Sequence, residues 1–159
     1  MAHLHPAAPC FARAFPFFVA PQAYTGLRTL YLESNAIATI EGLSAQQHLR
    51  TLHLGKNLLD SLHGLQTLTQ LEVLDVSHNR ISSCAGLGAL KSLRSLDISC
   101  NRLSTAADLA ELQSCTRLVT LDMSQNQLCA DGVLELLGEG RWQLALLRLQ
   151  GNPLVGQIE

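Results

Sequence analysis

"LEVLDVSHNRI", residues 71–81, is followed by "LRSLDISCNRL" at residues 93–103 and by "LVTLDMSQNQL" at residues 118–128. Two lines of the same shape precede it, "LRTLYLESNAI" from Leu27 and "LRTLHLGKNLL" from Leu49, and "LALLRLQGNPL" follows from Leu144. All six fit L-x-x-L-x-L-x-x-N-x-L, with Val, Ile or Met in some aliphatic slots, and their starts lie 22, 22, 22, 25 and 26 residues apart. A near-constant period of this size marks a solenoid, in which no unit can bury its apolar face alone and each stacks on the next.

Each slot has a physical reason. Alternation in the L-x-L portion places Leu30 with Leu32, Leu52 with Leu54 and Leu74 with Val76 on one face of a short strand, and Tyr31, His53 and Asp75 on the other. The first face is core and the second meets solvent. Stacked units form a parallel sheet with rungs about 4.8 Å apart. Asn35, Asn57, Asn79, Asn101, Asn126 and Asn152 stand where each strand turns away from the sheet. A turn there leaves backbone N–H and C=O groups inside, and an amide supplies both donors and an acceptor, so a structural asparagine column can satisfy its own turn and the neighbouring coil.

The return segments differ along the chain. Leucines at 65, 68 and 71, and again at 87, 90 and 93, recur every third residue, which suits 3₁₀ turns. The fourth and fifth units are three and four residues longer, and "STAADLAELQSCTRL" and "DGVLELLGEG" read as helical turns. Asp131 is expected to cap the second and Gly138 to stop it. The expected fold is an α/β solenoid with six short parallel strands on the concave face and 3₁₀ or short α-helical turns on the convex face.

Composition sets the boundaries. Of 33 leucines, 32 lie at or after Leu27, whereas all four phenylalanines fall between Phe11 and Phe18 and no Asp or Glu occurs before Glu33. Residues 1–23 therefore read as a poorly ordered or foreign leader, and residues 24–159 as the repeat domain. A net charge of −2 supplies no basic field for nucleic acid or an anionic membrane. The apolar stretch "AAPCFARAFPFFVAPQA" carries Arg13 and three prolines, which argues against a spanning helix. Five scattered cysteines form no zinc-ligand spacing, and a reduced intracellular setting fits them. Cys84 and Cys115 occupy aliphatic slots and read as small buried hydrophobes, while Cys100 reads as a partly exposed thiol.

The six lines resemble intracellular leucine-rich repeats of the 22-residue kind. From about Tyr24 to Glu159, "YTGLRTLYLESNAIATIEGL", "DLAELQSCTRLVTLDMSQNQL" and "LLRLQGNPLVGQIE" resemble more narrowly the leucine-rich-repeat dynein axonemal assembly factor of ciliated organisms. That resemblance implies a protein-binding scaffold in cytoplasmic preassembly of axonemal dynein arms, serving motile cilia or flagella. Its implied partners are dynein arm subunits, other assembly factors and chaperones. A regulatory or targeting subunit of a protein phosphatase, or a spliceosomal repeat protein, is the alternative. The family has a further repeat before the "YTGL" line and continues past the "GNP" line, so a chain incomplete at both ends is expected.

The residues expected to meet a partner form the solvent-facing strand column Tyr31, His53, Asp75, Asp97, Asp122 and Arg148. Carboxylates on adjacent rungs repel by about 0.8 kcal/mol in water and by more when dried, so the row favours a basic partner surface. The competing reading is structural: Asp and the Ser two residues on order the strand exit. Aligned monodentate carboxylates do not converge into a metal cage. No phosphate-binding loop, nucleophile elbow or HExxH is present, so neither an enzyme nor a cofactor or small-molecule substrate is expected. Trp142 is expected to cover the core.

Overall fold

The computed structural model describes residues 3–4, 17–19, 26–130, 132–139 and 142–154, the first two segments as backbone strands only. The repeat lines supply β3 (Thr29–Tyr31), β5 (Thr51–His53), β6 (Val73–Asp75), β7 (Ser95–Asp97), β8 (Thr120–Asp122) and β9 (Leu146–Arg148). They pair in parallel, rung after rung, and the short strand β1 (His3–Leu4) extends the same sheet beyond β3. A second, two-stranded parallel sheet joins β2 (Phe17–Val19) to β4 (Thr39–Glu41). The remainder of the leader segment expected at residues 1–23 lies outside the described residues.

The strands are only three residues long because each coil turns as soon as its central leucine is buried. Leu30, Leu52, Leu74, Leu96 and Leu121 lie one above another in register and are at most 1% exposed. Leu147 occupies the same slot in the last rung yet is 38% exposed, since no described coil covers that rung. The leucine residues of the return segments close the other side of a single continuous core.

The asparagines hold the bends. Asn57 Nδ2 donates to the carbonyls of Leu54 and Gly55 in its own coil and to Leu32 in the preceding coil, while its Oδ1 accepts from Ile37 N–H. Asn79, Asn101 and Asn126 repeat the pattern, each reaching back one coil through both amide atoms. Asn152 bonds Met123 O, Leu149 O and Leu128 N–H. Asn35, in the first described coil, bonds only its own carbonyls at Leu32 and Glu33.

The residue before each asparagine adopts a left-handed conformation: Ser34, Lys56, His78, Cys100 and Gln125 have φ between 53° and 58°, and Gly151 has 76°. This reversal swings the amide inward under the strand. For non-glycine residues it costs of order 1 kcal/mol, which the amide bonds offset.

On the convex side, N–H groups of Leu65, Leu68 and Leu71, and of Leu87, Leu90 and Leu93, each bond the carbonyl three residues earlier. Gly64 and Gly86 open these turns at φ 102° and 108°, and a Cβ there would run into the carbonyl oxygens of Ile40 and Leu62 in the preceding coil. The fourth unit is a 3₁₀ helix, Ala107–Ser114, because Leu109, Leu112, Cys115 and Leu118 keep the three-residue spacing. Asp108 orders its start by accepting from the Ser104 and Thr105 amides and the Ser104 hydroxyl.

The fifth unit is the α-helix α1 (Val133–Glu139). It runs through Gly138, which therefore does not stop it: Gly138 is not among the left-handed glycines and a Cβ there would meet open space. Asp131, the expected cap, lies outside the described residues. Trp142 packs partly buried against the core and its Nε1–H donates to Leu112 O at 3.2 Å. Among the described residues no helix is long and apolar enough to cross a membrane.

Two polar groups stand out. Gln46 occupies the slot of Leu68 and Leu90, is fully buried, and neither its Nε2 nor its Oε1 has a hydrogen-bond partner among the described residues. Glu111 reaches across to the previous coil, where Oε2 accepts from Gly88 and Gly86 N–H at 2.8 and 2.9 Å. These two bonds, the Gly88 one foremost, hold its carboxyl below the ordinary glutamate value.

Three outcomes follow from this packing. Asn79→Ala is expected to lose ~1–3 kcal/mol in denaturant unfolding, and Asn35→Ala clearly less because it bridges no described coil. Gln46→Leu is expected to gain roughly 1–3 kcal/mol, since it removes a stranded amide from an apolar slot; an unchanged or lowered midpoint would contradict this. The depressed Glu111 carboxyl adds stability that is complete above the unfolded value of about 4.3 and is lost as pH falls through the folded value. Thermal midpoints measured from pH 7 down to pH 3 should therefore fall less steeply for Glu111→Gln than for the native chain.

Candidate partner-binding face

Strand register brings the six column residues into one line. Tyr31 pairs with His53, His53 with Asp75, Asp75 with Asp97, Asp97 with Asp122, and Asp122 with Arg148. Each is the last residue of its strand and points away from the core leucine beside it, so all six open onto the concave face. The arrangement arises because every coil reaches its asparagine bend the same number of residues after the strand.

Within the column the chemistry is graded. At one end the Tyr31 and His53 rings stack with centroids 4.8 Å apart and planes 15° from parallel. His53 Nδ1 lies 3.5 Å from Asp75 Oδ2 and 3.7 Å from Glu33 Oε1, contacts that become ion pairs when the imidazole is protonated. At the other end Arg148 Nη1 donates to Asp122 Oδ2 at 3.2 Å. Between them stands Asp97, the one carboxylate of the row with neither an arginine nor a histidine beside it among the described residues.

One oxygen of each Asp is structural. Oδ1 of Asp75, Asp97 and Asp122 accepts from the backbone N–H of Ser77, Ser99 and Ser124 respectively, and the hydroxyls of Ser99 and Ser124 add bonds of 2.7 and 2.6 Å. These close the strand exit. The second oxygen is left to the face, where His53 meets that of Asp75 and Arg148 that of Asp122. Burial pulls the Asp122 carboxyl upward, but the Ser124 bonds and the Arg148 guanidinium outweigh it and hold the group below the ordinary aspartate value.

Other residues share this face. The first residue of each repeat strand points the same way as the last, which adds Thr29, Thr51, Val73, Ser95, Thr120 and Leu146, with Thr120 Oγ1 bonded to Ser95 Oγ at 2.7 Å. Period-two alternation already implied this flank. Glu33, 3.7 Å from His53 Nδ1, lies two residues beyond Tyr31, so the same alternation places it on this face. Among the described residues no group of three or more His, Cys, Asp or Glu is placed to hold a metal ion. Cys84 and Cys115 are buried; burial raises the Cys84 thiol far above its ordinary value and that of Cys115 to about 11, so neither is a ready thiolate.

Comparison with known proteins agrees with this geometry. The leucine rich repeat family pattern matches residues 25–81, and the two-copy leucine rich repeats pattern matches residues 69–111. No curated protein sequence matches the chain. Among solved structures, an internalin of Listeria monocytogenes shares 27% identity and a TM-score of 0.70 over 79% of this chain and 36% of its own. A leucine-rich repeat protein of Leptospira interrogans shares 26% identity and a TM-score of 0.71 over 82% of this chain and 33% of its own. The ectodomain of the receptor kinase SOBIR1 from Arabidopsis thaliana, 24% identical with a TM-score of 0.56 over 76% of this chain and 66% of its own, shares the fold. The chain thus spans about a third of the length of the two bacterial proteins. Its repeats, its asparagine bends and these matches together place it in one family: this chain is a leucine-rich repeat protein, with the architecture of a protein-interaction scaffold.

Proposed function

We propose that the chain is a non-enzymatic, protein-binding scaffold whose concave column, Tyr31 to Arg148, receives a basic surface of a partner protein during cytoplasmic preassembly of axonemal dynein arms. The observation that carries the binding role is the position of Asp97. It lies mid-column, its Oδ1 is satisfied by Ser99, and its other oxygen has no partner among the described residues, whereas Asp122 on one side is paired with Arg148 and Asp75 on the other lies beside the His53 imidazole. A lysine or arginine from a partner would relieve the repulsion along the row and gain a charge-assisted bond. The stacked Tyr31 and His53 rings add a flat surface at the end of the same column.

The assembly role rests on the sequence likeness, above all on the lengthened fourth and fifth units and the "GNPL" ending. Those two units are the ones that carry the 3₁₀ helix and α1. A rigid stacked sheet suits a factor that holds large subunits while others join them, because it offers an extended surface already ordered before contact.

Affinity capture from ciliated cells tests both parts. The native chain is expected to retain dynein heavy chains and chaperones, and Asp97→Lys to lose them while still folding, with a midpoint lowered by the lost Ser99 bonds; Asp97→Asn, which keeps an Oδ1 acceptor for Ser99 and removes the charge, should weaken capture with the midpoint nearly unchanged. Retention of phosphatase or splicing subunits in their place would contradict the assembly role. Undiminished capture by Asp97→Lys would contradict the column as the contact surface.

A further inference from the structure

Away from the concave face, an open concavity of about 350 Å³ lies where the fifth coil begins, lined by Arg94, Thr116, Arg117, Leu118, Val119 and Gln143. We propose that this concavity is a docking site for a phosphorylated serine or threonine side chain of a partner protein, an inference that rests on the protein-binding role proposed above.

Its lining has one sign. Two arginines, a threonine and a glutamine are among the six lining residues and none of the six is acidic, although the chain as a whole carries a net charge of −2. Some cations of the chain are engaged, Arg50 with Glu72, Arg148 with Asp122 and Lys91 with the Ser114 carbonyl, whereas Arg28, Lys56, Arg80 and Arg102 are, like Arg94 and Arg117, without such a partner among the described residues. Neither the Arg94 nor the Arg117 guanidinium has a hydrogen-bond or ion-pair partner among the described residues. Their backbones are fixed nonetheless, because Arg94 O accepts from both Val119 and Thr120 N–H, and Leu118, next to Arg117, is fully buried. Arg94 and Arg117 line one concavity with both guanidiniums unpaired among the described residues, which suits it to an anion.

The donor set chooses the ligand. Two forks of N–H groups with a hydroxyl and an amide exceed what the two oxygens of a carboxylate can accept, and match the three terminal oxygens and nearly double charge of a phosphate monoester. The open mouth admits a side chain that remains attached to its protein. No lining residue is aromatic, so a nucleobase would find no stacking surface, and the basic area is confined to two arginines, too small to track a nucleic-acid backbone.

The test is titration of the ¹⁵N-labelled chain with a capped Gly-Ala-pSer-Ala-Gly peptide, followed by amide shifts. Saturable changes confined to the amides of Arg94, Thr116, Arg117, Val119 and Gln143 are expected. The unphosphorylated peptide should give none, and Arg94→Gln or Arg117→Gln should each weaken binding ~10-fold, as loss of one charge-assisted contact implies. These are exposed side chains, and unchanged thermal midpoints confirm that each variant is folded. Absent shifts, shifts elsewhere, or equal affinity in both variants would overturn the proposal. An oligonucleotide or an anionic lipid vesicle that shifts the same amides more tightly than the peptide would overturn the ligand assignment. Asp97→Lys separates the two sites: it should leave peptide binding unchanged, and a failed pocket beside Asp97-dependent capture would leave the concave-face role standing.

Discussion

Everything in this molecule depends on an amide that belongs to two coils at once. At Asn57, Asn79, Asn101 and Asn126 the side chain closes its own bend and also accepts an N–H and donates to a carbonyl of the coil before it. Without that link the inward-facing groups of each turn would be buried with no partner, at ~1–3 kcal/mol for each stranded group. With it, the height and rotation of one coil on the next are set to within hydrogen-bond tolerance. The left-handed residue before each asparagine is the accompanying strain, accepted because it aims the amide under the strand.

Fixing one coil on the next also fixes what faces the solvent. Because the strands are in register, any residue type repeated at a slot becomes a line on the surface, and Asp75, Asp97 and Asp122 form such a line whether or not it helps folding. The molecule uses half of each carboxylate to close the strand exit, through Ser77, Ser99 and Ser124, and presents the other half outward. Beside the strands, stacking also brings Arg94 and Arg117, from different slots of the repeat, to one concavity.

Slot identity was readable in the sequence and slot conformation was not. The leucines, the asparagines and the column from Tyr31 to Arg148 follow from a pattern of spacing alone, because each depends on which face of a coil a residue occupies. The left-handed slot was hidden, since Ser34, Lys56, His78, Cys100 and Gln125 carry no shared chemistry and only Gly151 gives a conformational hint. Gln46 was hidden for the converse reason: its neighbours mark a buried leucine slot, and its own polarity argues against burial. Glu111 bonds amides 23 and 25 residues away, beyond any local motif. Gly138 misled because a glycine ends a helix only when the backbone reverses there, and here the helix continues to Glu139.

Hydrogen exchange of single amides tests the stitching most directly. Ile81 N–H bonds Asn101 Oδ1, and Leu103 N–H bonds Asn126 Oδ1. In Asn101→Ala, protection of Ile81 N–H should drop ~10-fold or more while that of Leu103 changes little, since the lost acceptor serves the amide of the preceding coil and Leu103 is held by Asn126. Unchanged protection at Ile81, or an equal loss at both amides, would show that the coils are held together by something other than the asparagine column.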